Sequence, residues 1–369
     1  MAEETKVIPG VATLKVVADN LPEEVKRAAT TIKVDEDSYR QATARGVSLT
    51  GILESLDPSK PGDHMDAFER QLCRQGIKIG GAGVDTIERF FQTFEDTILF
   101  PEFLARQVVT GQNLVNNIAD IVALRTKIDG TKYTTLYMDE SIAGNKAEDK
   151  RLVKVEEYAE LPGVKIKTGK QSVTIQKYGR YIMTSYEFLR RQKIDLVAIF
   201  FQALGMQIQK DKFAAAMDVL INGDGNSNAA TSATYAGASP VYCDMLSFVL
   251  TMQSKGYTMN RIIAPLAEAI KIYSITEFNN ALVAGLDQAK TGQMPKPLGI
   301  PVIIDLSTAV AADSMVGIDN RFALQEIYET EMMSEVETVI RSQFKGTAVS
   351  EVCGFAKIMP DAVKILAKA

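Results

Sequence analysis

Val219-Leu-Ile-Asn-Gly-Asp-Gly-Asn-Ser-Asn228 decides how the rest of the chain is read. An apolar run stops at Asn222-Gly223-Asp224-Gly225. Asn and Gly take the left-handed conformation that closes a helix, and Asp-Gly makes the turn that follows. Asp224, Asn226 and Asn228 also have the oxygen spacing of the first three ligands of an EF-hand loop. That loop needs glycine at its sixth position and a bidentate glutamate at its twelfth, where this chain has Ala229 and Tyr235. Without the glutamate a cation site lacks most of its charge. The stretch reads as the exit of a helix.

Upstream, Ile194, Val197, Phe201, Leu204 and Ile208 recur at intervals of three and four, and Ala215 and Val219 carry the phase on. The spacing predicts a helix from Lys193 to Ile221, ~44 Å long at 1.5 Å per residue. Gln202, Gln209, Lys210 and Asp211 mark its outer face as polar. Such a length exceeds the usual globular helix and suits a strut.

Before the strut lies strand chemistry. Arg125 to Met138 is rich in Thr, Tyr and branched residues. From Val164 to Met183, Val173, Ile175 and Lys177 alternate with Thr174, Gln176 and Tyr178. The polar stretch Ser141 to Arg151 between them predicts a long hairpin with a solvated tip. A lone two-stranded ribbon is marginal in water, and nothing else in the sequence offers it obvious cover. Its support is expected from another copy of the chain.

After Ser239 the pattern turns mixed α/β. A helix is expected at Met245–Met252, a strand at Arg261–Ala264, then a helix opened by Pro265. Further strands are expected at Leu298–Ile304, Val316–Ile318, Ala323–Tyr328, Val336–Arg341 and Val363–Leu366. At the other end, residues 1–84 read as an appendage broken by Pro and Gly, with a short helix at Asp66–Cys73. Asp85-Thr-Ile-Glu88 has a capping-box pattern for a helix carrying Ile87, Phe90, Phe91, Phe94 and Ile98, which Pro101 ends; Pro101–Leu104 starts another turn. Gly80-Gly-Ala-Gly83 lacks the Lys-Ser/Thr of a phosphate loop and reads as a flexible joint.

Several classes of function are disfavoured. Cys73, Cys243 and Cys353 are scattered and odd in number, which argues against disulfides and a thiolate zinc site. His64, the single histidine, sits in the turn-like Pro61-Gly-Asp-His-Met65 and reads as an exposed imidazole. Neither a multi-histidine metal site nor a catalytic constellation survives, so no enzyme, cofactor or metal is expected. The net charge of −5 comes with scattered lysines rather than the basic stripe of a nucleic-acid reader. Lys146, Lys150, Lys154, Lys165, Lys167 and Lys170 are interleaved with Glu148, Asp149, Glu156, Glu157 and Glu160, as on a solvated face or a charge-matched protein contact. No run is apolar enough to cross a membrane, and MAEETKVIPG lacks the apolar segment of a secretory signal. At 369 residues, two or more lobes are expected.

The order of parts resembles a tailed-bacteriophage major capsid protein of the Hong Kong 97 fold. The residues that carry the resemblance are Ile182-Met-Thr-Ser-Tyr-Glu-Phe-Leu189 before the long helix and Val219-Leu-Ile-Asn-Gly-Asp-Gly225 after it. Leu298-Gly-Ile-Pro-Val302, Val316-Gly-Ile-Asp319 and Phe322-Ala-Leu-Gln325 follow. The resemblance runs from about Leu104 to the C-terminus. It implies an α+β fold with an N-terminal arm, an extended β-hairpin loop, a peripheral domain with a long spine helix, and an α/β axial domain. The implied boundaries are 1–84 for an N-terminal extension, 85–126 for the arm and 127–177 for the loop. The peripheral domain would then span 178–238, the axial domain 239–336, and returning C-terminal strands 337–369.

The resemblance further implies a shell protein of the virion, assembled in the bacterial cytoplasm as hexamers and pentamers around double-stranded DNA held weakly and non-specifically. Gly144, Asn145, Lys146, Glu148, Asp149, Lys150 and Arg151, at the tip of the loop, would be assembly contacts on a neighbouring subunit. Portal, scaffolding, protease or decoration proteins would be further partners, and no membrane. An encapsulin, a nanocompartment shell of the same fold, is the alternative. Some family members join a loop lysine to an asparagine near the C-terminal strands. This chain has no asparagine after Asn320, so no such crosslink is expected. Residues 1–84 are expected to stay attached, fixing shell curvature or bracing neighbours.

Overall fold

Gly223 and Gly225 sit at φ +85° and +90° directly behind a helix that ends at Asn222, so the chain leaves the strut where its sequence says. The coordinates are a computed structural model. They describe residues 41–42 and 47–369, apart from 80–82, 93, 116, 131, 135, 138–153, 156, 158–166, 169–171, 227, 279–295 and 340–343. Helices α1 (Leu49–Leu56) and α2 (Ala67–Arg74) lead through a 3-10 turn at Ile87–Phe91 to α3 (Phe94–Leu114). Strands β1 (Val122–Lys127), β2 (Lys132–Tyr133), β3 (Leu136–Tyr137), β4 (Lys167–Thr168), β5 (Val173–Thr174) and β6 (Gln176–Ser185) follow. A short α4 (Tyr186–Arg191) precedes α5 (Ile194–Asn222), the strut. Then come β7 (Thr231–Tyr235), α6 (Tyr242–Ser254), β8 (Arg261–Ala264) and α7 (Leu266–Tyr273). Strands β9 (Val302–Ile304), β10 (Ser314–Ile318), β11 (Leu324–Val339), β12 (Phe344–Lys357) and β13 (Val363–Lys368) complete the chain. This is a mixed α+β fold.

Two compact units share these elements. The first takes its residues from Met1–Leu114, Tyr178–Met206 and Thr330–Glu351. Its centre is aromatic: the Phe90 ring lies 5.4 Å from both Phe100 and Phe103, and Phe91 lies 5.0 Å from Phe100. Here α3 and the first half of α5 approach so closely that a Cβ on Gly111 would overlap the Gln202 backbone, and one on Gly205 the Val108 carbonyl. The turn at 87–91 is tied to the start of α5 by Ile87 N–H donating to Gln192 O and Ile194 N–H to Asp85 O, both 3.1 Å. Asp85 does not cap a helix as expected. Its Oδ2 accepts from Lys78 N–H at 2.8 Å, which closes a loop instead. Nor does Pro101 end the helix; it lies inside α3. A proline there costs ~3 kcal/mol. Burial of Leu99, Phe100, Phe103, Leu104 and Val108, at ~1.5–3 kcal/mol each, outweighs that.

The second unit takes its residues from Val115–Lys177, Gln207–Glu329 and Val352–Ala369. Its sheet has the order β7-β13-β10-β8-β9. The two outer pairs are parallel and the inner ones antiparallel. One face carries Phe213, Ala216, Met217 and Leu220 of α5 against Val316, Ile318, Ile263 and Val363. Another cluster joins Met245, Phe248 and Met252 of α6 with Ile262, Ala264, Met315 and Leu366 of the sheet and Ile272 of α7. The leading part of α5 is buried as its spacing predicts, through Ile194, Val197, Phe201 and Ile208. Gln209, assigned to the polar face, is buried at 5% exposure. The contact face rotates along so long a helix, and the residues most buried near its end are Met217 and Leu220 rather than Val219.

Strands β11 and β12 are long enough to run through both units. In the second unit, β1 pairs in parallel with β11 from Val122↔Leu324 to Lys127↔Tyr328; in the first, β6 neighbours β12. The expected hairpin forms from β2 with β5 and β3 with β4, both antiparallel. Its base differs from expectation in having cover of its own. Val173 and Ile175 are buried against Ile327 and Ala356, with Tyr133 and Val352 alongside. That cover comes in part from β12, a strand the sequence reading did not foresee. Two other boundaries move. Leu298 stands at φ +53° in a 3-10 turn, so the strand near it begins only at Val302. The strand expected at 323–328 and the described part of the one expected at 336–341 are one continuous β11, Leu324–Val339. None of the described helices is long and apolar enough to cross a membrane.

Candidate assembly surface

The residues singled out for assembly, Gly144, Asn145, Lys146, Glu148, Asp149, Lys150 and Arg151, lie outside the described residues. What the structure places is the root of their loop. Arg125 of β1 stacks over the Tyr328 ring at 4.2 Å, and its Nε lies 3.4 Å from Glu326 Oε2. Lys212 of α5 lies 3.3 Å from the other oxygen of the same carboxylate. Lys212 and Glu326 are both buried. A buried carboxylate shared by two cations is costly to break, so it fixes the hairpin root to the strut within the second unit.

The opening Asn-Gly-Asp-Gly loop acts as a clasp. Asp224 Oδ1 accepts from Asn226 N–H at 3.2 Å and from its side-chain amide at 3.0 Å. Asn228 Oδ1 accepts from Asp224 N–H at 3.1 Å, and Asp224 Oδ2 from Lys357 N–H at 3.3 Å. These oxygens accept from amides of the loop and of β12. The Lys357 amine, fully buried, donates to Leu220 O at the C-terminal end of α5 at 2.9 Å. Burial pushes its pKa down to about 8, against the pull of Asp224 and Asp361.

The other candidates are quickly placed. His64 is exposed in the turn between α1 and α2. None of the three cysteines is in a disulfide: Cys353 is buried, Cys73 half-buried and Cys243 exposed. Of the glycine joint only Gly83 is described, at φ +89°. Asp319, within the Val-Gly-Ile-Asp stretch, is buried. It accepts from Thr258 N–H at 3.1 Å and from Arg321 Nε and Nη2 at 2.9 and 2.8 Å. Burial raises its pKa, but Arg321 and the backbone donors outweigh that and hold the carboxyl below its usual range. It organises a turn.

An apolar surface was missed. In the first unit, Ile182, Met183, Ser185, Phe188, Leu196 and Phe200 line a groove of about 830 Å³ at the junction of β6, α4 and α5. Met183 is 66% exposed, Ile199 62% and Phe200 61%. Single exposed apolar side chains are ordinary, but a contiguous patch of this kind marks a surface that another molecule covers. The signal was available. From Ile194 to Leu204 the helix is apolar nearly all round, which a strut with one wet face would not be. Of the polar residues that suggested a wet face, Gln202 alone falls in that stretch; Gln209, Lys210 and Asp211 come later in the helix.

Comparison with known proteins agrees with this picture. A family model described as phage capsid protein matches residues 168–356, just over half of the chain. No curated protein matches it in sequence. Among solved structures, the capsid of the cyanophage P-SCSP1u is similar at a TM-score of 0.50 and 13% identity, over 68% of this chain and 88% of that one. The capsid of the native GTA particle is similar at 0.50 and 13%, over 70% and 90%. At such identities the likeness speaks for the fold, and it covers most of both chains. The chain belongs to the phage capsid protein family, and its fold is of the Hong Kong 97 type.

Proposed function

We propose that many copies of this chain close into an icosahedral shell around double-stranded DNA, as hexamers and pentamers. The observation that carries this reading is the apolar groove of the first unit, in a chain whose family builds capsids. Exposing Met183, Phe188, Leu196, Ile199 and Phe200 together is unfavourable, at about 25 cal/mol per Å² of apolar surface. Contact with neighbouring copies removes that cost. Heterologous contacts that close on themselves give rings and shells, and the hairpin tip at Gly144–Arg151 reaches across a neighbour. The virion is then the site of function and the bacterial cytoplasm the place of assembly, with portal, scaffolding, protease or decoration proteins as partners.

Ile199→Asp with Phe200→Asp tests the reading. Both side chains are exposed in the subunit, so the variant should fold, with an unchanged circular dichroism spectrum, and yield no particles in electron micrographs. Normal particles from it would remove the groove from the argument. DNA contact is weak in this account, because each phosphate contact adds salt-dependent affinity and the chain carries a net −5. Without an asparagine after Asn320, the shell is held non-covalently. Denaturing electrophoresis of particles should show one monomer band, and a ladder of covalent multimers would contradict this.

A further inference from the structure

Helices α1 and α2 form a hairpin organised around one buried cation. Arg70, 2% exposed, donates from Nε to Asp57 Oδ2 at 3.0 Å and from Nη2 to Asp57 O at 2.6 Å. Its Nη1 reaches Met65 O at 2.7 Å and Ser59 Oγ at 3.2 Å. One guanidinium thus satisfies the connection between the two helices. Glu54 adds a second tie, accepting from Ser59 N–H at 2.9 Å and Ala67 N–H at 2.8 Å. The helices bury Leu49, Ile52, Leu53, Phe68 and Leu72.

Two charged residues of α3, Glu102 and Arg106, hold the N-terminus of each hairpin helix. They are four residues apart, so they project from one face. Glu102, 4% exposed, accepts from Thr50 N–H at 3.0 Å, Thr50 Oγ1 at 2.6 Å and Leu49 N–H at 3.3 Å. A carboxylate on the unpaired N–H groups of a first helical turn is favoured by hydrogen bonding and by the helix dipole. Arg106 clasps Asp66 with two nitrogens, one of them at 2.9 Å, and lies over the Phe68 ring at 5.0 Å. Asp66 is also the N-cap of α2, accepting from Glu69 N–H at 2.8 Å. The far end of α3 is the part that meets α5 at Gly111 and Gly205.

We propose that the α1–α2 hairpin is a permanent clamp on α3, locked by Glu102 and Arg106, that remains bound even when the chain joining hairpin to α3 is cut. This does not depend on the shell reading, since hairpin, α3 and the first half of α5 belong to one unit of one chain. A break in the chain between Lys78 and Asp85 removes no contact of the latch, and charge-assisted bonds between fixed groups are strong ones.

The test uses the full chain with a site-specific protease sequence inserted after Lys78, an exposed position. After cutting under native conditions, the N-terminal fragment should co-elute with the remainder on size exclusion. In the Glu102→Gln/Arg106→Gln variant its retention should fall about 10- to 100-fold, as expected for losing charge-assisted bonds at two sites. Separation of the fragment from the otherwise wild-type chain overturns the proposal. So does undiminished retention in the double variant. If the double variant does not fold, Asp66→Asn keeps an oxygen for the α2 cap but loses the charge that Arg106 holds. It should then show the same direction of change, and retention equal to wild type would again overturn the latch.

Discussion

Lys357 shows how a single residue reports on the fold. Its amine donates to the Leu220 carbonyl near the end of the strut while its own N–H holds Asp224 in the clasp. Burial lowers its pKa to about 8, whereas an unfolded lysine titrates near ~10.4. Between those values the unfolded chain binds more protons, so stability rises with pH through that window. Below it the folded amine is charged and the cost of burial is felt in full. Urea unfolding over a pH series should therefore show the wild type gaining about 2–3 kcal/mol on Lys357→Met between about pH 8 and pH 10.5. A gap that does not change with pH would show that the amine titrates normally. None of this was legible in the sequence, where Lys357 is one lysine among many. Its burial is set by Leu220 and Asp224, more than a hundred positions away. The Asn-Gly-Asp-Gly stop was legible, because left-handed glycine and the Asx turn are local chemistry that tertiary contacts seldom override.

At the scale of elements, what could be read was what repeats over many turns. The strut has the length and nearly the limits its periodicity predicts, and the hairpin has its alternation: Val173 and Ile175 in, Thr174 and Gln176 out. What could not be read depends on partners distant in sequence. Strand β12 carries Gly346 and Gly354 and scattered charge, and becomes a strand by lying between β11 and β6. Pro101 looked like a stop because its local cost is visible and the burial that offsets it is not. The groove residues at Leu196, Ile199 and Phe200 were hidden by the assumption that a strut needs one polar face. Helices α3 and α5 approach closely at one glycine on each, Gly111 against the Gln202 backbone and Gly205 against the Val108 carbonyl. Gly205→Ala should cost about 1–3 kcal/mol by overpacking, despite alanine being the better helix former. Thermal unfolding of that variant measures it, and a higher melting temperature would mean that the helices are free to move apart.

For the whole molecule, the proposed assembly gives the exposed apolar groove a partner. The first unit carries the groove, the second holds the covered root of a hairpin, and the family is one of phage capsid proteins. Closed shells follow if each copy covers a neighbour's apolar surface and offers its own. Cryo-electron microscopy of the purified protein tests this most directly. The account predicts closed icosahedral particles in which density from an adjacent subunit covers Met183, Ile199 and Phe200. A chain that stays monomeric at high concentration, or particles in which that groove faces open solvent, would contradict it.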